Sequence, residues 1–257
     1  MKKLVSLLLV LAMSTVLAAA FADQLSDAQA RGSIIFATEG NWAPWTYYGD
    51  DGARAGFDIE VAQAVAEKLG LRAEFIDVEW SGIFAGIDVG RYTTAANGVD
   101  VTEDRAAKYA FTTPYCYNRY ALIVRSDNES ITSFEDLAGR TTSKSPGSTY
   151  AQIGERFGAT VVEVEALAET MNMVINGRVD ASINAIDSFN DYMSQQPDAP
   201  LKIAAVSEEF TPVAFPIRAE GSESLVEAIN GAIEALREDG TLAAISMKYF
   251  GYDITQP

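Results

Sequence analysis

The stretch Thr94–Arg105, TAANGVDVTEDR, joins the end of a buried strand to the start of a helix. Asn97-Gly98 breaks the strand, and Thr102 is a good helix N-cap. Arg105 then lies in the first helical turn, where a cation is electrostatically misplaced. It could bind a carboxylate together with free backbone N–H groups at this corner, or it could simply pair with Asp104 or another surface acid. The stretch alone leaves both interpretations open.

Helices and strands alternate up to this corner. We predict a strand at Ser33–Thr38, a helix that Asp58 caps, a strand at Glu74–Val78 and a short helix at Ser81–Asp88. The helix that begins at the corner is expected to extend to about Ala110. This β-α-β-α-β-α pattern is typical of a parallel sheet covered on both faces.

A second alternating series follows and implies a second lobe. Two segments, near 116–120 and 207–213, would cross between the lobes, and a cleft between lobes is the default ligand site. We therefore expect lobe 1 at 23–116 and 211–257, lobe 2 at 120–206, and hinge crossings at 117–119 and 207–210. From Tyr120 to the end of the chain, the predicted elements are strands at Tyr120–Arg125, Thr141–Lys144, Thr160–Val164, Val179–Asn184, Leu201–Val206 and Val213–Ile217, and helices at Thr149–Phe157, Leu167–Asn176, Ser188–Gln195, Glu223–Glu238 and Leu242–Phe250.

The first 22 residues have the pattern of a secretory signal peptide. Lys2 and Lys3 form a basic region, Leu4–Leu17 an apolar core, and Ala20-Phe21-Ala22 a small-residue cleavage site. We expect the mature protein to begin at Asp23 and to be periplasmic. No later stretch is apolar for long enough to cross a bilayer, so direct membrane insertion is not expected.

The amino-acid composition argues against several classes of function. The formal charge is −17, and it becomes −19 without the two signal lysines, which argues against nucleic acid or an anionic membrane as ligand. The chain has no histidine and a single cysteine, Cys116, so no intrachain disulfide is expected. The commonest metal ligand and the usual histidine-activated nucleophiles are missing. We expect no metal, no cofactor and no enzyme.

Several motifs, taken in order, are similar to those of one family of exported proteins. The chain resembles the periplasmic solute-binding proteins of polar amino-acid ABC transporters, family 3, over essentially the whole mature sequence. Each motif is weak by itself, but so many in order are specific. They are GFDIEVAQAVAEKLG (Gly56–Gly70), W-x-x-I-x-x-G-x-x-x-G-R-Y from Trp80, NGVDVTEDR (Asn97–Arg105), FTTPY (Phe111–Tyr115), FEDLAGR (Phe134–Arg140), PGSTY (Pro146–Tyr150), GRVDA (Gly177–Ala181) and DGTLAAISMKYFG (Asp239–Gly251).

The resemblance implies an α/β fold of two Rossmann-like lobes joined by a two-strand hinge, the type II periplasmic binding protein fold. It also implies a function: capture of an L-amino acid in the inter-lobe cleft and delivery to an inner-membrane ABC permease, by a monomer. The ligand could be cystine, another polar amino acid or a basic one. Two alternatives are a cyclohexadienyl or arogenate dehydratase on the same fold, with Glu39 as a general acid, and a sensor partner that presents the ligand to a receptor.

Matching positions give the expected ligand-binding residues. Arg105 corresponds to the arginine that holds the α-carboxylate, and Thr149 to its second anchor, although Thr149 could be an ordinary N-cap. Trp42 and Trp80 correspond to the aromatic pair around the ligand side chain, although isolated tryptophans are more often core residues. The full set is Glu39, Asn41, Trp42, Trp80, Asn97, Gly98, Asp100, Arg105, Ser148, Thr149 and Asp187.

Two positions depart from the family pattern. Asp100 stands where Ser or Thr is usual, and Ala185 stands where an Asp usually neutralises the ligand's α-ammonium. An unpaired ammonium in a closed cleft would be costly. We therefore expect Asp100 to supply the anion from lobe 1, with Asp187 as the fallback.

Overall fold

The first lobe is built on a parallel three-stranded sheet in a computed structural model that describes residues 23–257. The proposed signal peptide, residues 1–22, lies outside the described residues. The central strand of this sheet, Ser33–Thr38, pairs along its whole length with one neighbour and at its end with the other. The elements are α1 (Gln24–Arg31), β1 (Ser33–Thr38), β2 (Tyr47–Tyr48), β3 (Arg54–Ala55), α2 (Phe57–Lys68), β4 (Arg72–Asp77), α3 (Trp80–Asp88), β5 (Thr94–Ala95), α4 (Glu103–Ala106) and β6 (Tyr109–Phe111), and the sheet order is β4-β1-β5.

The second lobe is built on a five-stranded mixed sheet. Its order is β10-β9-β11-β8-β12, in which β8 runs antiparallel to both of its neighbours. The elements are β7 (Cys116–Asn118), β8 (Tyr120–Arg125), a 3₁₀ turn at Phe134–Leu137, β9 (Thr141–Lys144), α5 (Thr149–Arg156), β10 (Thr160–Glu163), α6 (Leu167–Ile175), β11 (Ala181–Ala185), α7 (Ile186–Gln195) and β12 (Leu201–Val206).

Two antiparallel segments connect the lobes. The chain leaves lobe 1 through β7 and returns through β13 (Thr211–Val213), and these two strands pair with each other. It then adds β14 (Pro216–Arg218) beside β6 and closes with α8 (Glu223–Glu238) and α9 (Thr241–Phe250). This arrangement agrees with the α/β two-lobe fold predicted from the sequence. None of the helices in residues 23–257 combines the length and the apolar character that a bilayer crossing requires.

Strand β8 shows why both faces of the second sheet are covered. Tyr120, Leu122 and Val124 belong to the largest hydrophobic cluster, whereas Ala121 and Ile123 belong to a separate one. Successive side chains of a strand point to opposite faces, so both faces are buried. The largest cluster continues into lobe 1, so the lobes are packed together.

The helix after the Asn97-Gly98 corner is much shorter than predicted. It ends at Ala106, and Tyr109–Phe111 forms a strand instead. That strand pairs with β14, with Phe111 opposite Pro216. The pairing satisfies backbone groups that a longer helix would have used, so tertiary contacts override the local helical pattern. The predicted strand at 213–217 is likewise divided, because it pairs with two different partners.

The sequence predicted that Asp58 caps α2, and this prediction is wrong. The N-cap is Gly56, whose φ of 128° and close approach to the Trp45 carbonyl leave no room for a Cβ atom. Asp58 is fully buried and accepts hydrogen bonds from the Tyr115 hydroxyl, at 2.9 Å, and from the Gly98 N–H. Burial raises the pKa of its carboxyl to about 7. Asp58 therefore supports the Gly98 corner from beneath.

Candidate functional site

A pocket lies between the two lobes. Nine of the eleven residues expected from the sequence line it, namely Glu39, Asn41, Trp42, Trp80, Asn97, Gly98, Asp100, Ser148 and Thr149. Five further residues complete its lining: Lys144, Ser145, Tyr150, Glu165 and Leu167. Arg105 borders the pocket through Thr149, and Asp187 lies outside it.

Arg105 is a buried cation that links the lobes. Its Nη1 atom donates to the Asp100 carbonyl oxygen at 3.0 Å and to Thr149 Oγ1 at 3.1 Å, and its Nη2 atom donates to the Gly147 carbonyl oxygen at 3.2 Å. Its guanidinium carbon lies 5.1 Å from the ring centroid of Trp80. Burial lowers the pKa of Arg105, and the charge of Asp100 acts in the opposite direction. Arg105 is therefore not a surface partner of a neighbouring acid.

Thr102 explains how the corner presents Arg105. Its hydroxyl accepts from the Arg105 N–H at 3.3 Å, so it is the N-cap predicted from the sequence. The helical turn is only four residues long, and Arg105 is its buried member. The first-turn position that seemed electrostatically unfavourable thus directs the guanidinium toward lobe 2.

Asp100 is a buried carboxylate beside this arginine. It is 3% exposed, and its Oδ1 atom has no hydrogen-bond partner among the described residues. Burial raises the pKa of its carboxyl to about 6, while the charge of Arg105 lowers it. An isolated bridge to Val213 fixes its backbone. An unpartnered buried acceptor of this kind is stabilised by any donor that enters the pocket.

The start of α5 supplies the lobe 2 side of the pocket. Ser148 is its N-cap and accepts from the Ala151 N–H at 3.2 Å, while Thr149 is the first helical residue. Thr149 could have been the helix N-cap or a residue of the binding site. The structure gives the N-cap role to Ser148, and the Thr149 hydroxyl contacts Arg105. Free N–H groups at a helix start favour a negatively charged group nearby.

Two tryptophans line the pocket but have different surroundings. Trp42 stacks on Trp45 with a centroid distance of 5.3 Å, and its Nε1 atom donates to Asn184 Oδ1 of lobe 2 at 3.3 Å. Trp80 begins α3, and Arg105 lies over its ring. A Cβ atom at Gly98 would lie 2.6 Å from the Trp42 ring, so only glycine fits there. Both tryptophans are core and pocket residues at once.

Glu39 and Asn97 form a hydrogen-bonded pair in lobe 1. Asn97 Nδ2 donates to Glu39 Oε2 at 2.7 Å, and the Glu39 N–H donates to Asn97 Oδ1 at 2.8 Å. Burial raises the pKa of Glu39, while the bond from Asn97 and the charge of Lys144 lower it. The pair fixes the orientation of the Glu39 carboxylate at the pocket.

Lys144 and Glu165 are pocket residues that the sequence reasoning missed. Lys144 ends β9, and Glu165 lies two residues beyond the end of β10. These two strands are parallel neighbours, and ligands of α/β sheets bind at the carboxyl ends of strands. Applying that rule to the predicted strands of lobe 2 would have found both residues.

Asp187 does not serve the pocket in this structure. It lies in the first turn of α7, and its Oδ1 atom accepts from the Tyr252 hydroxyl at 2.5 Å. Strand β11 ends at Ala185 as a regular strand, so the two-residue shift that the fallback needed does not occur. In this arrangement of the chain, Asp187 therefore bonds Tyr252 and does not line the pocket, and its role as the fallback partner of the ligand stays a prediction.

The sequence of this chain is similar to those of one known family of proteins. The model of one family, bacterial extracellular solute-binding proteins, family 3, matches residues 34–252. The chain belongs to that family. A relative from Haemophilus influenzae, a probable amino-acid ABC transporter-binding protein, is 40% identical over 224 residues, which cover 87% of each chain.

Two solved structures of solute-binding proteins are similar to this chain. An ancestral arginine-binding protein bound to arginine is 32% identical, covers 86% of this chain with 99% of its own, and superposes with a TM-score of 0.80. The L-cystine solute receptor of Neisseria gonorrhoeae in the unliganded open conformation is also 32% identical, with coverages of 91% and 99%, but its TM-score is 0.60. At equal identity, the TM-score is thus higher against the arginine-bound protein than against the unliganded open one.

Membership of this family bears on whether the chain is a solute-binding protein or an enzyme on the same fold. The relatives are named as transporter-binding proteins, and this confirms the expectation of a binding protein that is not an enzyme. The predicted two-lobe fold is confirmed by the same solved structures.

Proposed function

We propose that this solute-binding protein captures an L-amino acid between its lobes and delivers it to an inner-membrane ABC permease. The α-carboxylate binds Arg105 and the Thr149 end of α5, and the α-ammonium binds Asp100. Each lobe contributes part of these contacts, so the ligand stabilises the closed arrangement relative to an open one. The named ligands of the relatives, arginine and cystine, support an amino acid as the ligand class.

The observation that carries the proposal is the unpartnered Oδ1 atom of Asp100 beside a buried arginine. A carboxylate oxygen without a donor in a closed pocket is costly, and an α-ammonium supplies that donor. The usual Asp of lobe 2 is replaced by Ala185, which offers no charge. Asp100 therefore takes over neutralisation of the ligand, from the lobe that also holds Arg105.

The test is ligand binding by the mature protein and two matched variants. A thermal-shift panel of the twenty amino acids and cystine identifies the ligand, because a bound ligand raises the Tm. Asp100→Asn is then expected to weaken binding by about 10- to 100-fold, since a hydrogen bond to a charged group contributes about 1.5–3 kcal/mol. Asp104→Asn, the same change on an exposed residue of the same corner, should leave affinity within about 2-fold.

Two outcomes contradict different parts of this proposal. Stabilisation by none of the amino acids contradicts the proposed ligand class. Binding that survives Asp100→Asn unchanged contradicts only the role of Asp100 and returns the question of the ammonium partner to lobe 2.

Export to the periplasm as a monomer is part of the same proposal. The family is extracellular by its name, and the basic and apolar start of the chain supports removal of residues 1–22 during export. N-terminal sequencing of the protein from the periplasmic fraction should begin at Asp23. Light scattering should give the mass of one chain, with or without ligand.

A further inference from the structure

The pocket contains two separate groups of charges. In one, Arg105 and Asp100 act on each other. In the other, Lys144 is acted on by Glu39 and Glu165. We call these the Arg105 group and the Lys144 group. Both line or border one cavity, so a single ligand can contact both.

Lys144 is buried without an acceptor for its ammonium. It is 6% exposed, and its Nζ atom lies 4.9 Å from the ring centroid of Tyr150. Within residues 23–257, no carboxylate oxygen comes within 4.0 Å of this Nζ atom. Burial lowers the pKa of Lys144 to about 8. A carboxylate entering the pocket would satisfy this cation, which residues 23–257 leave without an ion-pair partner.

Glu165 has the complementary deficiency. Its Oε2 atom is buried and has no hydrogen-bond donor in the described part of the chain. Across residues 23–257, only one other carboxylate oxygen is in this position, and it is Oδ1 of Asp100. Both carboxylates line the same pocket. Each charge group therefore has one buried cation and one carboxylate that needs a donor.

Ligands with a single amino-acid head would leave the Lys144 group unsatisfied. A cationic side chain would pair with Glu165 or Glu39 but would bring no acceptor for the Lys144 ammonium. A neutral amide could bond to these groups without neutralising any of them. Burying a charge without an opposite partner is costly, so the group discriminates against both.

We propose that the Lys144 group is a second amino-acid head site, so that the ligand carries an ammonium and a carboxylate at both ends. The second carboxylate binds Lys144, and the second ammonium binds Glu165 and Glu39. The ligand class is therefore the diamino dicarboxylic acids, of which cystine, cystathionine and diaminopimelate are members. This inference rests on the proposed function, in which the first head occupies the Arg105 group.

Calorimetric titration of the mature protein tests the ligand class. L-cystathionine, which has no reducible bond, L-cystine and meso-diaminopimelate are compared with L-arginine, L-lysine, L-glutamine and L-glutamate. At least one ligand with two heads is expected to bind about 10- to 100-fold more tightly than every ligand with one, because it adds hydrogen bonds to charged groups.

Paired variants test the residues. Lys144→Met and Glu165→Gln should each weaken binding of the best two-headed ligand by about 10- to 100-fold, and this loss should clearly exceed the loss that the same variant shows for L-glutamine, which has no second head. Controls of the same chemistry in the same lobe are Lys202→Met and Glu163→Gln, which are outside the pocket and should bind as the parent does. Thermal unfolding confirms that each variant is folded, and either pocket variant alone is sufficient for the test.

The outcomes separate this inference from the proposed function. Tightest binding of arginine or lysine, strengthened by Lys144→Met, overturns the second head site and leaves amino-acid capture intact. Equal losses for one-headed and two-headed ligands in both pocket variants also overturn it. Binding of no amino acid at all overturns the proposed function and the inference together.

Discussion

At the scale of single residues, burial explains most of what this site can do. Arg105 and Asp100 are both nearly inaccessible, yet neither forms an ion pair with a surface residue. Arg105 instead uses uncharged oxygens of both lobes, so its charge is solvated by the protein and remains available to a ligand. The site is thus prepared for charge before any ligand arrives.

Gly98 is a position at which adding a single methyl group should lower both stability and ligand affinity. Gly98→Ala adds a methyl group where φ is 55° and where the Trp42 ring would lie 2.6 Å away. We expect the free energy of unfolding to fall by about 1–3 kcal/mol, and affinity for the amino acid to fall with it, because Trp42 must move. Chemical denaturation and calorimetry measure the two effects.

Gly139→Ala is the matched control for Gly98. Its φ is 73°, but nothing lies within 4 Å of the added atom. It should show the backbone penalty alone and no loss of affinity. Equal effects of the two variants on binding would contradict the importance of the contact with Trp42.

At the scale of elements, helix α5 separates stability from binding. The Ser148 hydroxyl is engaged by the Ala151 N–H, whereas the Thr149 hydroxyl contacts Arg105. Ser148→Ala should lower the free energy of unfolding by about 1 kcal/mol and change affinity little, because it removes a helix cap. Thr149→Val should do the reverse and weaken binding by about 10-fold. Loss of affinity in Ser148→Ala equal to that in Thr149→Val would contradict this division.

The elements also show how far sequence reasoning reaches. Strands β1, β8 and β12 and helix α8 have the predicted bounds, since their hydrophobic patterns are long and lie between clear turn residues. The helix after Thr102 was predicted too long. The residues that follow it form strand β6, whose partner β14 lies more than one hundred positions away in the sequence. Short elements depend on such distant partners, which no local pattern contains.

The pocket residues likewise include some that the sequence predicted and some that it missed. Motifs of lobe 1 predicted Glu39, Trp80 and Asp100 as pocket residues, and the structure brings them together. Lys144 and Glu165 were missed, because a charged residue at the end of a strand is usually exposed. The pocket that they line has walls from both lobes, and the relative arrangement of the lobes is a property of the whole chain.

At the scale of the whole molecule, a contact near the hinge links the C-terminal segment to lobe 2. The Tyr252 hydroxyl donates to Asp187, and the Tyr117 N–H in the crossing strand donates to the Ile254 carbonyl. Asp187 thus contacts the C-terminal segment and does not line the pocket. Its hydrogen bond favours one relative position of the lobes.

Tyr252→Phe should therefore alter closure without touching the pocket. We expect the amino acid to dissociate about 3-fold faster, because part of the closed state's stability is removed while Tyr252 is half exposed and its bond correspondingly weakened. Stopped-flow fluorescence of the pocket tryptophans gives the rate. Tyr249→Phe loses a hydroxyl that bonds Glu60 within lobe 1 and should leave the rate unchanged. Equal acceleration in both variants would contradict a role in closure.

The bonds from Arg105 to Thr149 and Gly147 have a thermodynamic consequence for the transporter cycle. These oxygens compete with a ligand carboxylate for the Arg105 guanidinium. A carboxylate that binds Arg105 does so by exchange, and the net affinity is the difference between two sets of hydrogen bonds. On release of the ligand, the same oxygens can again accept hydrogen bonds from the guanidinium. Release to a permease is thereby made easier, at the expense of the tightest attainable binding.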